Sequence, residues 1–159
     1  MTSLPFDLFL DLDGVLADFD KRVREITGKG PDEQPARDLW RQIAGPRHDF
    51  YNSLDWMPDG QALFEATKAY NPTILTGLPM GNWAEPQKRT WCARMLGESV
   101  PVITCMARDK HKYAKPGSVL IDDREKARSE WERVGGVFIL HTSTESSLRQ
   151  LNELIAAYA

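Results

Sequence analysis

Phe6-Asp7-Leu8-Phe9-Leu10-Asp11-Leu12-Asp13-Gly14-Val15-Leu16-Ala17-Asp18 is the stretch on which the fold turns. The run Phe6–Leu10 reads as a strand, and it delivers two carboxylates, one residue apart, at its end. Strand side chains alternate, so Asp11 and Asp13 share one direction if the extended geometry continues that far. Gly14 then permits a sharp turn. Two acids held that close repel each other and call for a cation, a proton or a hydrogen-bond donor.

Four further apolar runs, near 72–76, 100–105, 118–122 and 136–140, join the first at 6–11 as expected strands. Most are continuous rather than alternating, as in strands buried on both faces of a parallel sheet. Helical segments fall between them. One covers 85–97, with Pro86 in its first turn and Gly97 at its stop. A second covers 123–134 and stops at Gly135-Gly136. In the last segment Leu148, Leu151, Leu154, Ile155 and Tyr158 recur at helical spacing. This alternation predicts an α/β fold, a Rossmann-like three-layer sandwich with a mainly parallel sheet. The interval 19–70 breaks the rhythm. It offers no strand, is punctuated by Gly28, Gly30, Pro31 and Pro35, and has helical patches around Trp40 and Leu63. The expected organisation is a core of residues 1–18 and 71–159, with 19–70 as a small helical cap inserted after the first strand. Ligands of open α/β sheets bind at the strands' carboxyl ends, where this insertion sits.

Composition narrows the function. The chain has 159 residues, 42% of them hydrophobic, and a net charge of −3; its mean hydropathy is −0.45. That suits one soluble domain and gives no electrostatic support for a long nucleic-acid footprint. No apolar stretch is long enough to span a bilayer, and no signal peptide is read at the N-terminus. Cys92 and Cys105, the two cysteines, form no metal-type cluster. A reducing cytoplasm is the expected compartment.

Each strand end carries polar residues. Pro72-Thr73-Ile74-Leu75 leads into Thr76-Gly77, Val100–Cys105 into Arg108-Asp109-Lys110-His111-Lys112, and Ser118-Val119-Leu120-Ile121 into Asp122-Asp123-Arg124. A parallel sheet lines these ends along one edge, so Asp11, Asp13, Thr76, a lysine and the Asp122/Asp123 pair converge. Clustered carboxylates form a hard oxygen site suited to Mg2+. Metal and lysine together neutralise a phosphate, while the Thr76 hydroxyl and backbone N–H groups after it hold the remaining oxygens. Asp11 then serves as a nucleophile towards phosphorus, and Asp13 as the acid and base.

These residues resemble the haloacid dehalogenase-like hydrolase superfamily. Asp11-Leu12-Asp13-Gly14-Val15 is similar to its first motif, hydrophobic-D-x-D-G-(T/V). Thr76 resembles the second, and a lysine with the Asp122/Asp123 pair the third and fourth. Within the superfamily the stretches DLDGVLADF, FYNSLDWMPDG, ILTG, ARDK and LIDDR look most like the 5'(3')-deoxyribonucleotidase family and related phage and bacterial phosphatases. The resemblance implies an aspartyl-phosphate mechanism, with Asp11 as nucleophile and Asp13 as acid/base. It implies Mg2+ held by Asp11, the Asp13 carbonyl and an acid of the late pair, Asp123 before Asp122. It implies phosphate held by Thr76, Gly77 and Lys110, the last because Arg108-Asp109-Lys110 resembles the family's R-D-K. Lys112 and then Lys115 are the rivals of Lys110.

The implied substrate is a small phosphomonoester, a nucleoside monophosphate first, with no membrane partner. Phe50, Tyr51 and Trp56 are candidates to stack on a base, and Asp18 and Phe19 flank the site mouth. Against these stand plainer readings: an aromatic core for the insertion and a helix cap at Asp18. His48, His111 and His141 have no metal spacing, and Gly77–Gly81 lacks the G-x-x-x-x-G-K-(S/T) pattern. Two other functions compete: a phosphatase of nucleic-acid ends, and a non-catalytic phosphate-binding regulator.

Overall fold

The five apolar runs become five strands, the central ones buried by their neighbours. The computed structural model describes residues 3–158. The strands are β1 (Leu8–Leu10), β2 (Thr73–Gly77), β3 (Val102–Cys105), β4 (Val119–Asp122) and β5 (Val137–Leu140). They form one sheet in the order β3-β2-β1-β4-β5. Every pairing is parallel, with Leu10 opposite Ile74 on one side and Ile121 on the other.

Alternation sorts the strand side chains between two cores. Leu8, Leu10, Ile74, Val119 and Ile121 pack on one side, together with Leu63, Trp91 and Leu151 from the helices. Phe9, Leu75, Leu120 and Phe138 pack on the other around Trp131. The helices are α1 (Phe19–Thr27), α2 (Ala36–Ile43), α3 (Gly60–Thr67), α4 (Ala84–Met95), α5 (Arg128–Arg133) and α6 (Thr144–Ala157). Trp91 and Trp131 are fully buried, and each indole N–H is satisfied by a carbonyl, Leu54 O at 2.8 Å and Ser118 O at 3.0 Å. Burial of each such ring contributes up to about 4–6 kcal/mol by transferred area. Helices on both faces of a parallel sheet make the expected three-layer α/β sandwich.

The elements differ from expectation at their edges. The strand expected at 6–11 spans only Leu8–Leu10, although Asp11 N still donates to Ile121 O at 2.9 Å. The helix expected over 123–134 begins as a 3-10 turn at Glu125–Ala127, and α5 follows. The insertion holds one helix more than foreseen, α1, whose Phe19, Val23 and Ile26 recur at helical spacing and pack inwards between charged neighbours. Among the described residues, no helix is long and apolar enough to cross a membrane.

Topology fixes the site. From β1 the chain runs outward through β2 and β3, then returns to the other flank for β4 and β5. The switch lies between β1 and β4, at whose carboxyl ends stand Asp11 and Asp122.

Candidate active site

After β1 the backbone leaves the sheet in a tight loop. Leu12 O accepts from Val15, Leu16 and Ala17 N, and Gly14 N donates to Ala17 O at 2.8 Å. Gly14 is left-handed, at φ +81°, and a Cβ there would lie 2.0 Å from Asp123 Oδ2. Glycine is therefore required twice, by conformation and by the carboxylate lying against it. Extended geometry does not continue to Asp13, which is reached through this loop.

Asp11, Asp122 and Asp123 each offer a carboxylate oxygen, and these oxygens lie within 4.8 Å of one another. Lys110, in the 3-10 segment Ala107–Tyr113, is buried and donates to Asp11 Oδ1 at 2.8 Å and Asp122 Oδ2 at 3.0 Å. Lys112 is exposed and pairs with Asp109, and Lys115 is also exposed, so neither rival of Lys110 reaches the acids. Asp122 Oδ1 also accepts from Arg124 N at 2.9 Å.

One lysine does not balance three acids. Burial opposes ionisation of Asp11, but the charge and hydrogen bond of Lys110, helped by Lys88, outweigh it and hold the carboxyl below its usual range. Burial and the neighbouring Asp11 push Asp122 up to about 6. Burial, Asp11 and Asp122 together push Asp123 up to about 8. Burial works against the Lys110 ammonium, yet Asp11 and Asp122 raise its pKa overall. Such crowded hard-oxygen donors fit a small divalent cation, which would relieve the repulsion among them.

On the other flank lies a cation that sequence reasoning missed. Lys88, on α4, is fully buried and donates to Asp13 Oδ2 at 3.0 Å, Thr76 Oγ1 at 2.8 Å and Gly77 O at 2.6 Å. Asp13 Oδ1 is buried without a partner. Burial raises the Asp13 pKa against the pull of Lys88, with Asp11 adding to the rise. A signal for Lys88 existed: Ala84, Lys88, Trp91 and Cys92 share one helical face, and the other three are apolar and buried. Thr76 is itself fully buried at the end of β2. The backbone N–H groups expected to be free after it are partly spent, since Leu78 N donates to Cys105 O at 2.8 Å.

Tyr51, from the insertion, sets its ring centroid 4.5 Å from Lys88 Nζ. It stacks on Trp83 at 5.4 Å, and Phe19 packs edge-on against Phe50 at 5.3 Å. Phe50 and Tyr51 are buried and offer no open face for a base, whereas Trp56 is half-buried against Trp91 and Phe64. Phe19, Trp40 and Trp83 are the partly exposed members of the cluster. Asp18 caps α1, its Oδ1 accepting from Lys21 N at 3.1 Å.

Side chains from one face of α4 fasten the insertion. Gln87 accepts from Tyr51 N and donates to Gly45 O, both at 3.0 Å, and Arg94 donates to Asn52 O at 2.5 Å. Trp91 adds its bond to Leu54 O. The first loop completes the attachment, with Asp18 N donating to Asp55 O and Met57 N to Leu16 O.

No protein-family model and no curated protein matches the sequence. Solved structures do match. A hydrolase from Streptococcus pneumoniae TIGR4 aligns over 92% of this chain and 97% of its own, at 14% identity and a TM-score of 0.54. A HAD-superfamily hydrolase from Ehrlichia chaffeensis aligns over 100% of both chains, at 12% identity and a TM-score of 0.53. The fold is that of the haloacid dehalogenase-like hydrolases. The L-2-haloacid dehalogenase of Xanthobacter autotrophicus shares it, over 92% of this chain and 82% of its own, at 13% identity and a TM-score of 0.53. So does a HAD-family enzyme from Bacteroides thetaiotaomicron solved as a magnesium complex, over 91% and 98%, at 15% identity and a TM-score of 0.50.

Proposed function

We propose that this chain is a Mg2+-dependent phosphomonoesterase working through an aspartyl-phosphate on Asp11. The observation that carries the reading is the pairing of two unlike carboxylates at one strand end. Against the effect of burial, Lys110 draws the Asp11 pKa down, while burial draws that of Asp13 up and leaves its Oδ1 enclosed and unpartnered. Proton affinities moved in opposite directions in neighbouring acids assign nucleophile and acid. Asp11, Asp122, Asp123 and the Asp13 carbonyl would hold Mg2+, which when bound neutralises the acids and draws charge from the phosphoryl oxygens.

Asp11 attacks phosphorus, and the bond from phosphorus to the leaving oxygen breaks. Asp13 Oδ1 gives its proton to that oxygen, releasing an alcohol. Asp13, now a base, takes a proton from water as the water oxygen attacks the aspartyl-phosphate. The bond between Asp11 and phosphorus breaks, inorganic phosphate leaves, and both acids return to their starting forms. The Lys110 ammonium, the Thr76 hydroxyl and backbone N–H near Gly77 steady the phosphoryl charge.

The same fold serves carbon–halogen chemistry in the Xanthobacter enzyme. The three-acid cluster favours phosphoryl transfer here, because displacing a halide with a carboxylate has no use for a dication. In this reading residues 19–70 form the cap lobe, and the substrate is a small phosphorylated metabolite, a nucleoside monophosphate first. Phe19, Trp40 and Trp83 would meet the base, a stack worth roughly 1–3 kcal/mol. The test is phosphate release from a panel of phosphomonoesters, with Mg2+ and with EDTA. Metal-dependent release concentrated on nucleoside monophosphates is expected, and Asp11→Asn should abolish it. Full activity in that variant would sink the mechanism. Release from end-phosphorylated oligonucleotides in preference to mononucleotides would move the substrate to nucleic-acid ends.

A further inference from the structure

Lys88 has no role in the steps above, yet it touches two groups that do. An ammonium has three hydrogens to donate. Those of Lys88 meet three acceptors: Asp13 Oδ2 at 3.0 Å, Thr76 Oγ1 at 2.8 Å and Gly77 O at 2.6 Å. The Tyr51 ring lies 4.5 Å from Nζ, and the side chain is fully buried. The ammonium is saturated and enclosed, with no hydrogen left for substrate. Any influence it has on the reaction passes through its partners.

Each bond has a directional consequence. With Oδ2 engaged by Lys88, Asp13 has one uncommitted oxygen, and Oδ1 is that buried, unpartnered atom. Thr76 Oγ1 accepts from Lys88, which leaves the hydroxyl hydrogen to be donated elsewhere. A phosphoryl oxygen, an acceptor without hydrogens, is what such a donor suits. Lys110 serves Asp11 and Asp122, and Lys88 serves Asp13 and Thr76, so the two lysines divide the site.

We infer that Lys88 is a positioning residue that aims Asp13 Oδ1 at the leaving-group oxygen and the Thr76 hydroxyl at the phosphoryl group. The inference rests on the phosphatase reading above. Lys88 fixes which Asp13 oxygen gives the proton to the departing alcohol and later takes one from water.

The test compares wild type with Lys88→Met on phosphomonoesters whose leaving groups run from nitrophenol to simple alcohols, at saturating Mg2+. Nitrophenolate departs without a proton, whereas an alkoxide needs one. A misaimed acid should therefore lower kcat/KM roughly hundredfold for alkyl esters. The nitrophenyl ester should lose about tenfold or less, the share owed to Thr76. The misaimed base slows hydrolysis of the aspartyl-phosphate, so nitrophenol should appear in a burst equal to the enzyme concentration. An equal loss across all leaving groups, with no burst, overturns the inference while the phosphatase reading stands. No turnover by wild type on any ester overturns both.

Lys88→Met leaves Asp13 buried without its counter-charge and can fail to fold. Asp13→Asn with Lys88→Met removes both charges and keeps the question open to measurement. If Lys88 acts through Asp13, adding Lys88→Met to Asp13→Asn should lower kcat/KM for alkyl esters by about tenfold or less, again the share owed to Thr76. A further drop of about a hundredfold overturns the inference.

Discussion

Replacing Gly14 by alanine perturbs backbone and metal cluster together, and the two effects can be separated. The residue sits at φ +81°, where an L side chain costs about 1–2 kcal/mol. For a chain of this length that lowers Tm by roughly 2–8 °C. The added Cβ would fall 2.0 Å from Asp123 Oδ2 and 2.7 Å from its Cγ, so the carboxylate must swing away. Swinging costs the free protein little, because Asp123 is already crowded by Asp11 and Asp122. It removes one of three acids from the proposed cation site. Disturbing even a group that only supports a ligand weakens metal binding by about 10–100-fold, which sets the least effect expected here. At saturating Mg2+ the ion then stabilises the variant by about 1.4–2.7 kcal/mol less than wild type. Calorimetric Mg2+ titration and Tm with and without the ion measure both parts. In an Asp123→Ala background both clashing atoms are gone, so Gly14→Ala should retain its Tm penalty and cause no further loss of affinity. Wild-type Mg2+ affinity in Gly14→Ala alone would refute the argument and remove Asp123 from the site.

Two other outcomes are expected. In EDTA, Asp122 and Asp123 titrate at about 6 and about 8 in the folded protein, above the ordinary value of about 3.9. The folded state then holds protons that the unfolded chain has released, so stability falls as pH rises from about 4 towards 8. The Tm gain on adding Mg2+ should therefore be larger at pH 8.5 than at pH 5.5, and an equal gain at both would contradict the shifts. Gly60→Ala would set a Cβ 2.6 Å from Leu16 O, in the loop after Asp13. Overpacking of about 1–3 kcal/mol should lower Tm by roughly 2–12 °C and depress activity through that loop, while an unchanged melting curve would show that the loop yields freely.

The sheet was legible because its strands are nearly continuous apolar runs of the right length, bounded by turns. The acids at their ends were legible because parallel strands align their carboxyl termini whatever the sequence distance between them. Asp11 and Asp122, 111 residues apart, meet through Lys110 for that reason. What escaped reading depends on side-chain contacts. Lys88 looks like an ordinary helix lysine until the face it shares with Trp91 is seen to be the inner one. Helix α1 hides behind five charged side chains in nine residues, Asp20, Lys21, Arg22, Arg24 and Glu25. Phe50 and Tyr51 were visible as aromatics, but their partners within the insertion decide whether they face ligand or one another.

The attachment of Gly45–Leu54 to α4 bears on how this protein can be re-engineered. Gln87, Lys88, Trp91 and Arg94 grip that segment, so its ring at Tyr51 and the proposed acid Asp13 are tied to the same helix. Grafting the insertion of a related protein onto this sheet would import a segment whose anchors lie elsewhere in the sequence, on the recipient's own helix. Room for change lies instead where α4 does not reach. Helix α2 and its flanking turns carry Trp40 at the aromatic rim and exposed residues such as Arg37 and Arg41. A library confined to that stretch leaves the groups proposed to carry the chemistry untouched.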